Sequence, residues 1–493
     1  MLAAALRLPF LGAQSLWFDE TYTVHVVQGS LGELWHRVGA TESTPPLFYL
    51  LTWAWVHLLG SDGAAAMRTV SALAIVAAVP VAYAALRRLT GRDAALATAA
   101  LVAVSPLLGW YALDARAYGL LVLVGLLSVW AFGAALERPD RKRLALWALA
   151  AAAVLWTHWF AGFLVLGEAL ALLWLRRDAW RGVLVAGGAA LLALLPLLGL
   201  LREQTGDDRA AFIAQTSVPD RLEQLVRQFG AGIDVPRTWL EAALLALALG
   251  AILAGTALTV RAARSDRETQ VSGPYDPEPA RPLPRRYGMR TASREGARAL
   301  LALAAIGLLV PLALAATGVY DRFNVRNVLY LWPLFAALAA SALLRLRKAP
   351  LAALLALGLA TSLWTQADWR YGNTDWRTAI ERVTPRAGGP VVAITPLGTP
   401  VAAHYLGRTP ATAPLATRRA WVVVEPARSA GHRELGPVDP PLVAQLLAAF
   451  PAHRETRVHG FRLIELRAPE PVALDPARLP GAALFPPVRS GAG

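Results

Sequence analysis

The chain has 493 residues, 56% hydrophobic and 17% charged, with a formal net charge of +14 and no cysteine. A soluble domain carries nearer a quarter charged residues, so this composition points to a polytopic helical membrane protein. The missing cysteines exclude disulfides, thiol catalysis and cysteine-ligated zinc. The positive charge does not signal nucleic acid, because the arginines cluster between apolar runs as cytoplasmic anchors do.

The opening MLAAALRLPF lacks the basic, apolar and small-residue regions of a secretory signal. The apolar run 1–16 is broken by Arg7 and Pro9 and is short for a span. Either the chain starts further upstream, or this segment lies tilted and partly interfacial. WFDET (17–21) follows it. Further candidate spans are 65–86, 93–110, 116–136, 144–159, 160–175, 183–201, 239–260, 299–317, 328–344 and 349–366. The longer ones approach the roughly 20 residues that cross about 30 Å of hydrocarbon. With 1–16 these make eleven.

Alternate connections are basic: RRLTGR (87–92), ERPDRKR (137–143), RRDAWR (176–181), the loop 261–298 and RLRK (345–348). The positive-inside bias puts these in the cytoplasm. The connections 17–64, 111–115, 202–238 and 318–327 then face outward, with the C-terminal segment. PPLFYLLTWAWVHLL (46–60) is too short to span and suits an interfacial helix. The run 144–175 reads as two short spans turning near His158, which keeps the basic loops on one side. The Arg- and Pro-rich loop 261–298 reads as a disordered cytoplasmic insert. The transmembrane part is thus 1–366, with outer loop 17–64. From 367 the character changes. GPVVAITP, AWVVVEP and FRLIELRA are β-like, and PPLVAQLLAAF has helical spacing. A small α/β domain is expected on the outer face within 367–493, ending in an irregular Pro-, Ala- and Gly-rich tail.

Motifs of phosphate-cradling loops, zinc proteases, serine hydrolases and dinucleotide sites are missing. What remains is a set of polar groups at the outer ends of the spans. Asp19 and Glu20 follow the first run. GWYALDARAYG supplies Tyr111, Asp114, Arg116 and Tyr118. THWF supplies His158, and VYDRFNVRNVLYLWP supplies Asp321, Arg322, Arg326 and Tyr330. Each alone is an interfacial anchor or a local ion pair. Ionisable groups at membrane depth are costly and commonly functional, and four stretches converging on one face favour a shared site.

The order WFDET, TPPLFYLL, YALDARAYGLL, THWF, RNVLYLWPLFAALAA and DWR before an outer domain resembles bacterial membrane glycosyltransferases of the GT-C fold. More narrowly it resembles the protein O-mannosyltransferase and lipid A aminoarabinose transferase superfamily (glycosyltransferase family 39 and its relatives). The resemblance implies a GT-C fold, a catalytic acid in the first outer loop and a sugar donor carried on polyprenyl phosphate. It implies inversion at the anomeric carbon. The family's acidic pair matches Asp19 and Glu20.

Such chemistry needs a carboxylate to take the acceptor's proton, and Asp19, on a short side chain at a loop-to-helix junction, suits that role. Glu20 orients it or pairs with an arginine. Arg322, Arg326 and Arg116 are candidates for the leaving phosphate, since planar guanidinium forks match its oxygens. Tyr111, Asp114, Tyr118 and His158 complete the expected substrate-binding set. Neither cofactor nor obligatory metal is expected. The expected partners are the lipid-linked donor, membrane lipid and a lipid, glycan or protein acceptor, at the cytoplasmic membrane of a cell envelope. A transporter or flippase of lipid-linked sugars is the alternative, but one-sided polar residues and the lack of a repeat argue against it. A membrane scaffold with an outer binding domain leaves the converging polar residues without a role.

Overall fold

The computed structural model describes residues 1–206, 211–235, 237–264, 293–345, 348–384, 389–395, 397–429, 432–436 and 440–487. Most of the expected insert 261–298 and two residues of RLRK lie outside the described residues.

The chain opens with a short helix α1 (Leu2–Ala5) and a 3-10 turn at Leu8–Phe10, not with a span. Helices α2 (Phe18–Val27), α3 (Leu31–Thr41) and α4 (Leu47–Leu59) build the next region. With 13 residues, α4 is about 20 Å long at 1.5 Å per residue, short of a span as its sequence suggests.

Next come α5 (Ala64–Thr90), α6 (Arg92–Val104) and α7 (Pro106–Ala112). The sequence predicts one span over 93–110, but α6 and α7 meet at 55°. Pro106 has no N–H to offer the Val102 carbonyl, so the helix breaks there. The freed carbonyls find other donors. Arg7 Nη1 donates to Ala103 O at 2.7 Å and Nη2 to Val102 O at 3.4 Å, while Ser362 Oγ donates to Val104 O at 2.8 Å. This also explains why 1–16 does not span: Arg7 is buried as a plug for the break, and α1 ends at Ala5, ahead of the 3-10 turn that holds Pro9.

Helices α8 (Tyr118–Glu137), α9 (Arg141–Thr157) and α10 (Gly162–Leu175) follow. The expected turn near His158 is present, as a 3-10 turn at Trp159–Ala161. The bundle continues with α11 (Trp180–Leu192), α12 (Leu198–Gly206), α13 (Val218–Ala231), α14 (Thr238–Arg264), α15 (Arg294–Ala316), α16 (Trp332–Leu343) and α17 (Lys348–Ala367). Among the described residues seven helical stretches are long and apolar enough to cross a membrane, eight if the bent pair counts as one span. The sequence predicts eleven. The difference is 1–16, broken as described, and α9 and α10, whose 17 and 14 residues fall short of the usual roughly 20.

After α18 (Trp376–Val383) the chain builds a small mixed sheet: β1 (Val391–Ile394), α19 (Thr399–Leu406), β2 (Leu415–Val424), the hairpin β3 (Ala427–Ser429) and β4 (His432–Gly436), α20 (Pro441–Ala449), β5 (Ala452–Val458), β6 (Phe461–Leu474) and β7 (Ala482–Phe485). The main sheet order is β5-β6-β2-β1-β7, with β1 parallel to β2 and the other pairs antiparallel. Period-2 alternation sends Val391, Ala393, Trp421, Val423, Phe461 and Leu463 toward α18 and α19, and the intervening residues toward α20. The predicted strand runs and the α20 helix are in place. The tail is not wholly irregular: β7 caps the edge of β1.

Candidate active site

Asp19 and Glu20 stand in the first turn of α2, where free backbone N–H groups favour negative charge. Their surroundings differ. Glu20 is fully buried, and Arg68 Nε and Nη2 donate to its two oxygens at 2.7 and 2.6 Å. The backbone N–H groups of Trp17 and Ala115 add bonds of 3.1 and 2.8 Å. Glu20 therefore ties the loop to α5 and to the α7–α8 connection. Asp19 keeps 22% of its side chain exposed, and Arg326 Nη1 donates to its Oδ2 at 3.2 Å.

Arg326, from the 3-10 turn leading into α16, lies over the rings of Tyr118 and Phe212, 5.9 and 5.3 Å from their centroids. Tyr111 packs edge-on against Tyr118 at 5.1 Å, and His158 lies 6.2 Å from Tyr118. His158 Nδ1 accepts the Phe160 N–H at 3.2 Å, fixing the ring at the α9–α10 turn. Asp114 is buried, and Trp17 Nε1 donates to it at 3.1 Å. Burial, reinforced by the neighbouring Glu20 carboxylate, pushes Asp114 up to about 7.

Arg116 is engaged. It forks onto Glu42 at 2.9 and 2.6 Å and donates to the Asp19 carbonyl at 3.2 Å. Tyr49 adds a hydroxyl bond of 2.7 Å to Glu42. Arg322 makes no side-chain hydrogen bond to this cluster among the described residues. Asp321 is claimed by Arg221, at 2.5 and 3.0 Å, and Tyr330 donates to the Gly307 carbonyl. The structure thus brings Asp19, Glu20, Tyr111, Asp114, Arg116, Tyr118, His158 and Arg326 together, and leaves Arg322, Asp321 and Tyr330 outside the cluster's hydrogen-bond network. Sequence reasoning missed Arg68 and Glu42. The signal for Arg68 was a lone arginine entering an apolar span (AAAMRTVSALAIV). Glu42 had only its place before Pro45–Pro46.

The geometry offers one open carboxylate beside a guanidinium and two tyrosine rings, backed by buried ion pairs. A paired acid and arginine of this kind can move a proton and hold an anion.

Residues 43–201 match the family model described as dolichyl-phosphate-mannose-protein mannosyltransferase. That segment includes Tyr111, Asp114, Arg116, Tyr118 and His158; Asp19, Glu20, Arg322 and Arg326 lie outside it. Among curated protein sequences none matches. Among solved structures, similarity extends to ArnT from Cupriavidus metallidurans bound to undecaprenyl phosphate, at 14% identity and TM-score 0.41, covering 95% of this chain and 97% of that one. The oligosaccharyltransferase of Archaeoglobus fulgidus is similar at 13% identity and TM-score 0.46, over 78% of this chain; the matched part is 55% of that longer chain. The arabinofuranosyltransferase AftD from Mycobacteria is similar at 14% identity and TM-score 0.43, over 98% of this chain and 39% of that one. Over residues 43–201, then, the chain bears the resemblance its motifs predict, to the dolichyl-phosphate-mannose-protein mannosyltransferases.

Proposed function

We propose that the chain is a polytopic membrane glycosyltransferase that moves a sugar from a polyprenyl-phosphate donor to an acceptor hydroxyl at the outer face of the cytoplasmic membrane. The match over 43–201 supports the reaction class. One observation carries the choice of residue: of the clustered acids, Asp19 has an open side chain, whereas Glu20, Glu42 and Asp114 are buried.

In the proposed step the acceptor oxygen bonds the anomeric carbon and its proton passes to Asp19. The bond from the anomeric carbon to the phosphate oxygen breaks, and its electron pair stays on the lipid phosphate. Inversion follows from a single displacement. Arg326, already 3.2 Å from Asp19, is placed to meet the phosphate, with Arg322 nearby in sequence. The buried ion pairs hold the loop without consuming its open acid.

The test is purified protein with radiolabelled polyprenyl-phosphate sugars. Label leaving the lipid for a hydroxyl acceptor supports transfer. Label that stays on the lipid and only changes leaflet would establish the transporter reading instead.

A further inference from the structure

The backbone of residues 11–17, just before Asp19, has an unusual set of partners. Five consecutive carbonyls each accept a guanidinium N–H. Arg68, from the membrane helix α5, donates to Leu11, Gln14 and Ser15 at 3.1, 2.9 and 2.7 Å. Arg377, from α18 of the C-terminal domain, donates to Gly12 and Ala13 at 3.0 and 3.1 Å. The stretch is a turn running into irregular backbone, and two arginines from distant parts of the chain satisfy its carbonyls.

The C-terminal domain adds more. Ser15 Oγ donates to Asp375 Oδ1 at 2.7 Å and accepts the Arg377 N–H at 2.9 Å. The Leu16 N–H donates to the Tyr405 hydroxyl at 2.7 Å. Gln14 accepts the Asn373 N–H at 3.2 Å. Asp375 is itself fixed by Thr378 at 2.7 Å and by His459 at 2.6 Å. His459 reaches it from the tight β5–β6 turn, where His459 and Gly460 both have positive φ. Phe18, next to Asp19, packs on the α18–α19 face of the sheet. The hydrogen bonds from residues 12–16 to this domain each join positions more than 350 residues apart.

We infer that Asp375 and Arg377 are positioning residues, by which the C-terminal domain holds residues 12–16 and so fixes where Asp19 points. The domain acts on the reaction through the loop, not by touching substrate. The inference rests on the glycosyl-transfer reading only for its kinetic consequence; the loop's dependence on the domain is a separate physical claim. A displacement of about 1 Å at a reacting group can cost roughly 10²-fold in rate, and losing two guanidinium bonds frees the loop by that order.

The test compares wild type, Arg377→Ala, Arg377→Lys and, as a control on the same domain, Arg418→Ala, whose partner Glu470 is exposed. Two readouts are taken: amide hydrogen exchange over residues 11–19, and kcat and KM with a radiolabelled polyprenyl-phosphate sugar. Arg377→Ala should exchange faster over 11–19 and lose about 10- to 100-fold in kcat, with donor KM little changed. Arg377→Lys should recover part of both, and Arg418→Ala neither should move. Unchanged exchange in Arg377→Ala overturns the inference, as does a loss confined to KM or shared by Arg418→Ala. If wild type transfers no sugar, the functional reading fails, and the exchange data alone still decide this inference.

Discussion

At the scale of single residues, three acids within one small cluster have three different environments. Glu20 is locked by Arg68, Asp19 is open, and Asp114 is buried beside Glu20 with the Trp17 indole N–H as a donor. A carboxyl held at about 7 lies above the roughly 3.9 of an unfolded aspartate. The folded protein then binds the extra proton between those values, so this group's share of stability is full below about pH 4 and falls as pH rises through 7. Asp114→Asn keeps the acceptor for Trp17 and cannot ionise. Its melting temperature, relative to wild type, should therefore rise between pH 4 and pH 8; a constant difference across that range contradicts the assignment. The acidic pair was legible in the sequence because carboxylates are rare in so apolar a chain. Which acid stays open was not. That depends on Arg68, 48 positions away, and on Ala115, 95 positions away.

At the scale of elements, hydrophobic length located the long helices α5, α8, α14, α15 and α17, because span length is a direct physical requirement. It failed where a break is repaired from elsewhere. The α6–α7 bend needs both Pro106 and a donor for the freed carbonyls, and that donor, Arg7, sits in what reads as an apolar run. Removing it should leave carbonyls unsatisfied in the bundle. Arg7→Met is expected to lower thermal stability by on the order of 1–3 kcal/mol. In a Pro106→Ala background, where Val102 regains an N–H partner, the same change should cost less; equal costs in the two backgrounds would break the link. Strand β5 escaped notice for a different reason. Its side chains are exposed almost throughout, so it carries no alternation, and its pairing with β6 is set by the His459–Gly460 turn.

At the scale of the whole molecule, the bundle and the C-terminal domain meet at residues 12–16 and at the start of α2. Large apolar side chains such as Leu149, Val185 and Leu253 are 70–74% exposed, which suits a bundle surface bathed in lipid rather than water. The division into bundle and C-terminal domain follows from the shift in composition near residue 367. The dependence of the one on the other does not, since it rests on single hydrogen bonds from residues 12–16 to residues 373–377 and Tyr405, and on the packing of Phe18. The basic connections predict an orientation with the C-terminal domain outside. An extracytoplasmic reporter fused after Thr374 should be active, and fused after Pro277 silent. The reverse pattern would put Asp19 in the cytoplasm and remove the proposed reaction.

If Asp19 takes the acceptor's proton in the proposed sugar transfer, removing its charge must slow the chemical step. The most direct measurement is kcat for purified Asp19→Asn, shown to fold as wild type, with a radiolabelled donor. A loss of about 10²- to 10⁴-fold with donor binding retained is expected. A folded Asp19→Asn protein that transfers sugar at the wild-type rate would contradict it.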